Sequence, residues 1–127
     1  MARTRTATLA PDCFPDVTAL NLALKNERLR VVVDPEWGDA EHNGYVACAL
    51  DGEDAGFEIA RKVSSEGKLV LNVRWGGDRR EQAAALGVLS VLASRFGAEV
   101  SEPEESKVCS AEELGAQAKS LIQALSE

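Results

Sequence analysis

Gly77-Asp-Arg-Arg-Glu-Gln-Ala-Ala-Ala-Leu-Gly-Val-Leu-Ser-Val-Leu-Ala-Ser-Arg-Phe-Gly97 is the stretch around which the rest of the chain must fold. Asp78 stands where a helix N-cap is expected, and Glu81, three residues on, completes the carboxylate form of a capping box. Gly97 follows the last apolar residue, Phe96, at the position where a left-handed residue closes a helix. Between Ala83 and Ala93 only Ser90 is polar, so this helix is apolar around most of its circumference. Such a helix is buried on more than one side. It is predicted to run between two strands.

Working outward, Lys68 to Trp75 alternates, with Leu69, Leu71, Val73 and Trp75 on one face and Val70, Asn72 and Arg74 on the other. That is the period of a half-buried strand, and Leu71 and Val73 should face the helix. Upstream, Leu29–Val33, Tyr45–Leu50 and Phe57–Val63 read as strands, and Asp51-Gly52 carries the hairpin signal. Val17, Leu20 and Leu24 mark a short amphipathic helix behind Pro15, ending near 26–28. After Gly97 come a short strand, 98–100, and a closing helix to about Leu125, with Ser110 and Glu113 as a second capping box. The order is α-β-β-β-β-α-β-α. It predicts an α+β fold, a two-layer sandwich with a mostly antiparallel four- to five-stranded sheet on the central helix, and one crossover between the last two strands. Residues 1–14 are expected to be a flexible N-terminal arm and 15–127 a single domain.

A chain of 127 residues, 45% hydrophobic and 28% charged, has the composition of one folded domain. Its net charge is -7, distributed unevenly: +2 over residues 1–30 (five basic, three acidic), -7 over 31–67 (two basic, nine acidic) and -2 over 68–127 (seven basic, nine acidic). This balance argues against a nucleic-acid partner, which needs a basic surface. No apolar run approaches the ~20 residues of a membrane span, and the first residues lack the apolar core of a secretory signal, so no membrane association and a cytoplasmic location are expected. Cys13, Cys48 and Cys109 are odd in number and widely spaced, which points to reduced thiols, with Cys48 buried in a strand.

Few residues suggest catalysis. His42 is the single histidine and lies in a polar loop, where a solvated role is the expectation. Asp34, Glu36, Asp39 and Glu41 do not have the spacing of a calcium loop, so they read as an acidic face rather than a metal site. Arg74-Trp-Gly-Gly-Asp-Arg-Arg80 joins a strand to a helix N-terminus, where backbone amides can hold an anion. It resembles the pyrophosphate loop of acetyltransferases, but the R-x-x-G-x-G/A spacing is absent and Asp78 competes for the same amides. No cofactor is expected. Trp37, in the long acidic loop, has no alternating pattern to bury it. It reads either as an interface anchor or as a residue folded back on the sheet edge.

Three segments together, Gly44-Tyr-Val-Ala-Cys-Ala-Leu-Asp-Gly52 with Gly56-Phe-Glu58, Gly77-Asp78 with its alanine-rich helix, and Gly97-Ala-Glu-Val-Ser-Glu-Pro-Glu-Glu105 with Ser110-Ala-Glu-Glu-Leu114, carry a resemblance. They resemble small acidic bacterial immunity proteins of polymorphic toxin systems, of the type VI secretion or contact-dependent kind. The resemblance implies a non-catalytic monomer that neutralises a cognate toxin. An acidic surface would steer it to a basic cleft. On that reading Asp34, Glu36, Trp37, Asp39, Glu41, Asp51, Glu53 and Asp54 form the partner-binding face. A secretion chaperone or adaptor for an effector, and a small enzyme binding an anionic cofactor at Gly76-Gly77, are the alternatives.

Overall fold

Ten consecutive residues of the central stretch, Ala83 to Leu92, are buried in the computed structural model, which describes residues 3–38, 44–102 and 107–125. Helix α2 spans Arg79–Arg95, and its cap is built as the sequence reads: Asp78 Oδ1 accepts from the Arg80 amide at 2.7 Å. Glu81 turns further back than a capping box requires and accepts from the Gly76 amide at 3.4 Å. Gly97 has φ 73, the left-handed geometry that ends the helix, and the Ala98 amide returns to the Leu92 carbonyl at 3.0 Å.

The fold is α+β, with a mostly antiparallel sheet packed on the central helix as expected, and with more strands than the sequence reading counted. The strands are β1 (Arg3–Leu9), β2 (Val31–Val33), β3 (Gly44–Val46), β4 (Cys48–Leu50), β5 (Glu53–Asp54), β6 (Phe57–Val63), β7 (Leu69–Trp75), β8 (Glu99–Glu102) and β9 (Lys107–Cys109). Helix α1 (Val17–Asn26) precedes β2, and α3 (Ala111–Leu125) closes the described chain. One sheet has the order β3-β6-β7-β1-β8-β9 and the other β2-β4-β5, with every neighbouring pair antiparallel.

Residues 3–9, expected as a flexible arm, form β1 in the interior of the large sheet, paired with β7 on one side and β8 on the other. Its polarity hides this role. Only Ala7 and Leu9 are buried apolar residues, while Arg5, on their face, is held by Glu102 at 2.9 Å and lies 5.6 Å from the centroid of the Trp75 ring. On the opposite face Thr6 donates to Asn72 Oδ1 at 2.9 Å. The crossover from β7 through α2 to β8 therefore steps over β1.

Alternate residues of the strands (Ala7, Leu9, Ile59, Leu71, Val73 and Val100) line the face under α2, and α3, α1 and the small sheet close over its other sides. Helix α1 is capped by Asp16, which accepts from the Ala19 amide at 2.7 Å, and α3 by Ser110, which accepts from Glu113 at 3.1 Å. The chain leaves the large sheet after Val46 and enters the small one at Cys48, with only Ala47 between. Asp51 (φ 53) and Gly52 (φ 84) make the two-residue turn of the β4–β5 hairpin, the conformation an Asp-Gly pair favours. Asn21 closes the far side of β2, donating to the Val33 carbonyl at 3.0 Å and accepting from its amide at 2.8 Å.

Candidate protein-binding face

Trp37 is not a surface anchor. It is fully buried (0% exposed), its ring stacks on Phe14 at 5.0 Å, and its indole N–H donates to the Pro15 carbonyl at 3.0 Å. Arg61 completes the cluster: its guanidinium lies 4.5 Å from the Phe14 ring centroid and donates to the Trp37 carbonyl at 2.6 Å. A large aromatic with a polar tip buries well when its N–H finds an acceptor, and here residues 11–15 supply both the stacking ring and that acceptor. Its burial belongs to the scaffold, and it drops out of the partner-binding set.

The remaining predicted face is only partly described. Asp39, Glu41 and His42 lie outside the described residues, as does the side chain of Glu36 within the 3-10 turn Pro35–Gly38. Asp34, Asp51, Glu53 and Asp54 are exposed. Two of these are engaged. Asp51 meets Arg30 at 3.4 Å, and Glu53 meets Arg80 at 2.6 Å, which ties the hairpin tip to the first turn of α2. Exposed pairs of this kind contribute at most about 1 kcal/mol each, so they orient the hairpin more than they stabilise the fold.

The exposed aromatic of this region is Tyr45, on the edge strand β3, 50% exposed. In the sequence it reads as one residue of the strand Tyr45–Leu50. Its ring lies against Gly56, where a Cβ would collide with the ring and with the Val46 carbonyl, so glycine is required for this packing. Burial of one side raises the phenol above its ordinary pKa of 10.0. The carboxylates of Glu81 and Asp54 add to the rise, and a hydrogen bond from the Gly56 backbone opposes it. The ring therefore stays a neutral donor over the physiological range.

Tyr45, Phe57, Glu58, Arg74, Trp75 and Glu81 border a cleft of about 250 Å³ at this end of the sheet. Arg74 and Glu58 are register partners across β6 and β7, and both are exposed. An apolar wall, a half-exposed phenol and charges of both signs suit a docked side chain of another protein. The amides of Arg80 and Gly76, which an anionic cofactor would use, are taken by Asp78 and Glu81. Among the described residues no group of three or more His, Cys, Asp or Glu could hold a metal ion, and no helix is long and apolar enough to cross a membrane. Comparison with protein-family models, curated proteins and solved structures found no match.

Proposed function

We propose that this chain is a non-catalytic binding protein, an immunity protein that neutralises a cognate bacterial toxin through the surface around Tyr45. The observation that carries the reading is a half-exposed tyrosine flanked by Asp54 and Glu81, next to the exposed acids of the β4–β5 hairpin. Tyrosine supplies a rigid apolar body with a hydrogen-bonding tip, which is why it recurs as an interface hot spot. The surrounding carboxylates raise the encounter rate with a basic cleft and disfavour acidic partners. Asp34, exposed and joined through its amide to the Ala47 carbonyl at 3.0 Å, extends the same charge.

The test begins with the gene immediately upstream, expected to encode a large secreted protein with a C-terminal toxin domain. Co-expression of that domain with this chain should restore bacterial growth. Tyr45→Ala combined with Asp54→Lys should abolish the rescue while the variant remains folded. Full rescue by that variant, or no effect of the chain on the toxin, contradicts the proposal.

A further inference from the structure

A second surface has the opposite chemistry. A groove of about 690 Å³ runs between α1 and the small sheet, bordered by Asn21, Lys25, Arg28, Leu29, Val32 and Ala49 among others. Its floor is apolar: Val32 is 58% exposed and stands opposite Ala49 in the β2–β4 register. Two further depressions continue it. One of about 270 Å³ shares Arg28 and Arg30 and adds Lys119 and Ile122 of α3. Another of about 380 Å³ shares Leu29 with the first and Lys119 with the second. The shared residues make the three depressions neighbours, together the channel.

Its rim is mostly basic, with Asp51 the carboxylate that borders the first groove, on a protein whose net charge is -7. Lys25, Arg28 and Lys119 are exposed, and none forms an ion pair among the described residues. Arg30 is held by Asp51 at 3.4 Å. At the far end Glu27 is bound to Arg95 at 2.8 Å, and Glu112 is exposed.

Arg28 adds an independent sign. The Leu29 amide bonds back to the Leu24 carbonyl at 2.9 Å and the Arg28 amide to that of Lys25 at 3.0 Å, the double bond of a Schellman motif. Its left-handed position normally carries glycine, yet here Arg28 occupies it at φ 60. Side chains are disfavoured in that region, so arginine there places a cation on the rim at a cost in backbone energy.

We infer that this channel holds an extended segment of a partner protein in which acidic and apolar residues alternate. In an extended segment successive side chains point to opposite sides, so apolar residues meet Val32 and Ala49 while carboxylates meet Lys25, Arg28 and Lys119. A basic toxin cleft, the expected partner of the Tyr45 surface, is the wrong sign for it. The two surfaces therefore take different partners or different parts of one partner.

Random dodecapeptides displayed on phage and selected against the full chain test this. The expected enrichment is for peptides alternating Asp or Glu with aliphatic residues. A synthesised winner should bind Arg28→Gly about fivefold more weakly by fluorescence anisotropy, and Lys25→Glu with Lys119→Glu more weakly still, with affinity falling as salt rises. The Arg28→Gly chain should at the same time melt about 3 °C higher, because glycine relieves the left-handed backbone, so weaker binding cannot be unfolding. No enrichment, winners without acidic residues, or unchanged affinity for Arg28→Gly overturns the inference. So does a wild-type dimer that Val32→Asp dissociates, which would assign the channel to a second copy of the chain.

Discussion

Around the edge strand β3 and the β4–β5 hairpin, carboxylates surround an exposed aromatic ring; at the β2 edge of the small sheet, cations surround an apolar floor. The acidic edge spends part of its charge internally, through Asp51–Arg30 and Glu53–Arg80. The basic edge leaves Lys25, Arg28 and Lys119 outside such pairs among the described residues. A net charge of -7 thus says little about any one surface. What a partner meets is the local field, and two fields of opposite sign lie on either side of one three-stranded sheet.

The largest expected effect concerns the scaffold beneath the acidic edge. Trp37→Ala empties a site filled by a buried, stacked and hydrogen-bonded indole and should cost about 4 kcal/mol in urea denaturation. A loss below about 1 kcal/mol would return Trp37 to the surface and to the binding face. Next comes Cys48, in the strand β4 that both edges share. Burial, followed by the charge of Asp34, pushes its thiol from 9.0 up to about 12. The native chain keeps this proton where the unfolded chain has lost it. Stability is therefore full below pH 9.0 and declines toward pH 12, by up to about 4 kcal/mol. Cys48→Ala should flatten that decline in alkaline denaturation, and the hairpin acids and the channel floor should be lost together because β4 pairs with both β5 and β2.

Smaller effects separate the edges. Glu53→Lys with Asp54→Lys should slow association with a basic partner about tenfold at low salt, close to 1.4 kcal/mol, and leave peptide binding in the channel unchanged. Arg28→Gly should do the reverse, weakening only the channel while adding about 1 kcal/mol of stability. Asp54→Asn and Glu81→Gln should each lower the pKa of the single tyrosine, since each removes a negative charge that opposes phenolate formation. Phenolate absorbance during an alkaline titration reads this directly. If affinity for the channel peptide follows the Glu53 and Asp54 changes instead, the two surfaces act as one.

Much of the fold is written in local signals. The caps of α2 and α3, the left-handed Gly97, the Asp51-Gly52 hairpin and the alternation of β7 all follow from rules that span a few residues. β1 escapes those rules because its core face contains Arg5, whose partner Glu102 is distant in sequence, although threonines at positions 4, 6 and 8 were a strand signal available to read. Division into two sheets turns on a single residue, Ala47, inside what reads as one continuous strand. The acidic hairpin was legible as charge, whereas the role of Trp37 depended on Phe14 and Pro15, more than twenty residues away. Tyr45 looked like an ordinary strand residue until Gly56 fixed its ring. The channel draws on α1, β2, β4 and α3, and the left-handed geometry of Arg28 has no sequence signature, since glycine is the residue that announces it.

Amide hydrogen exchange on this chain, alone and bound to the toxin domain of the upstream gene, tests the central claim most directly. The account predicts protection concentrated in Gly44–Val46, Glu53–Asp54 and the first residues of β6, with Val31–Val33 and the end of α1 unchanged. Protection at Val31–Val33 and the end of α1, with none around Tyr45, would contradict it and make the basic channel the principal binding surface.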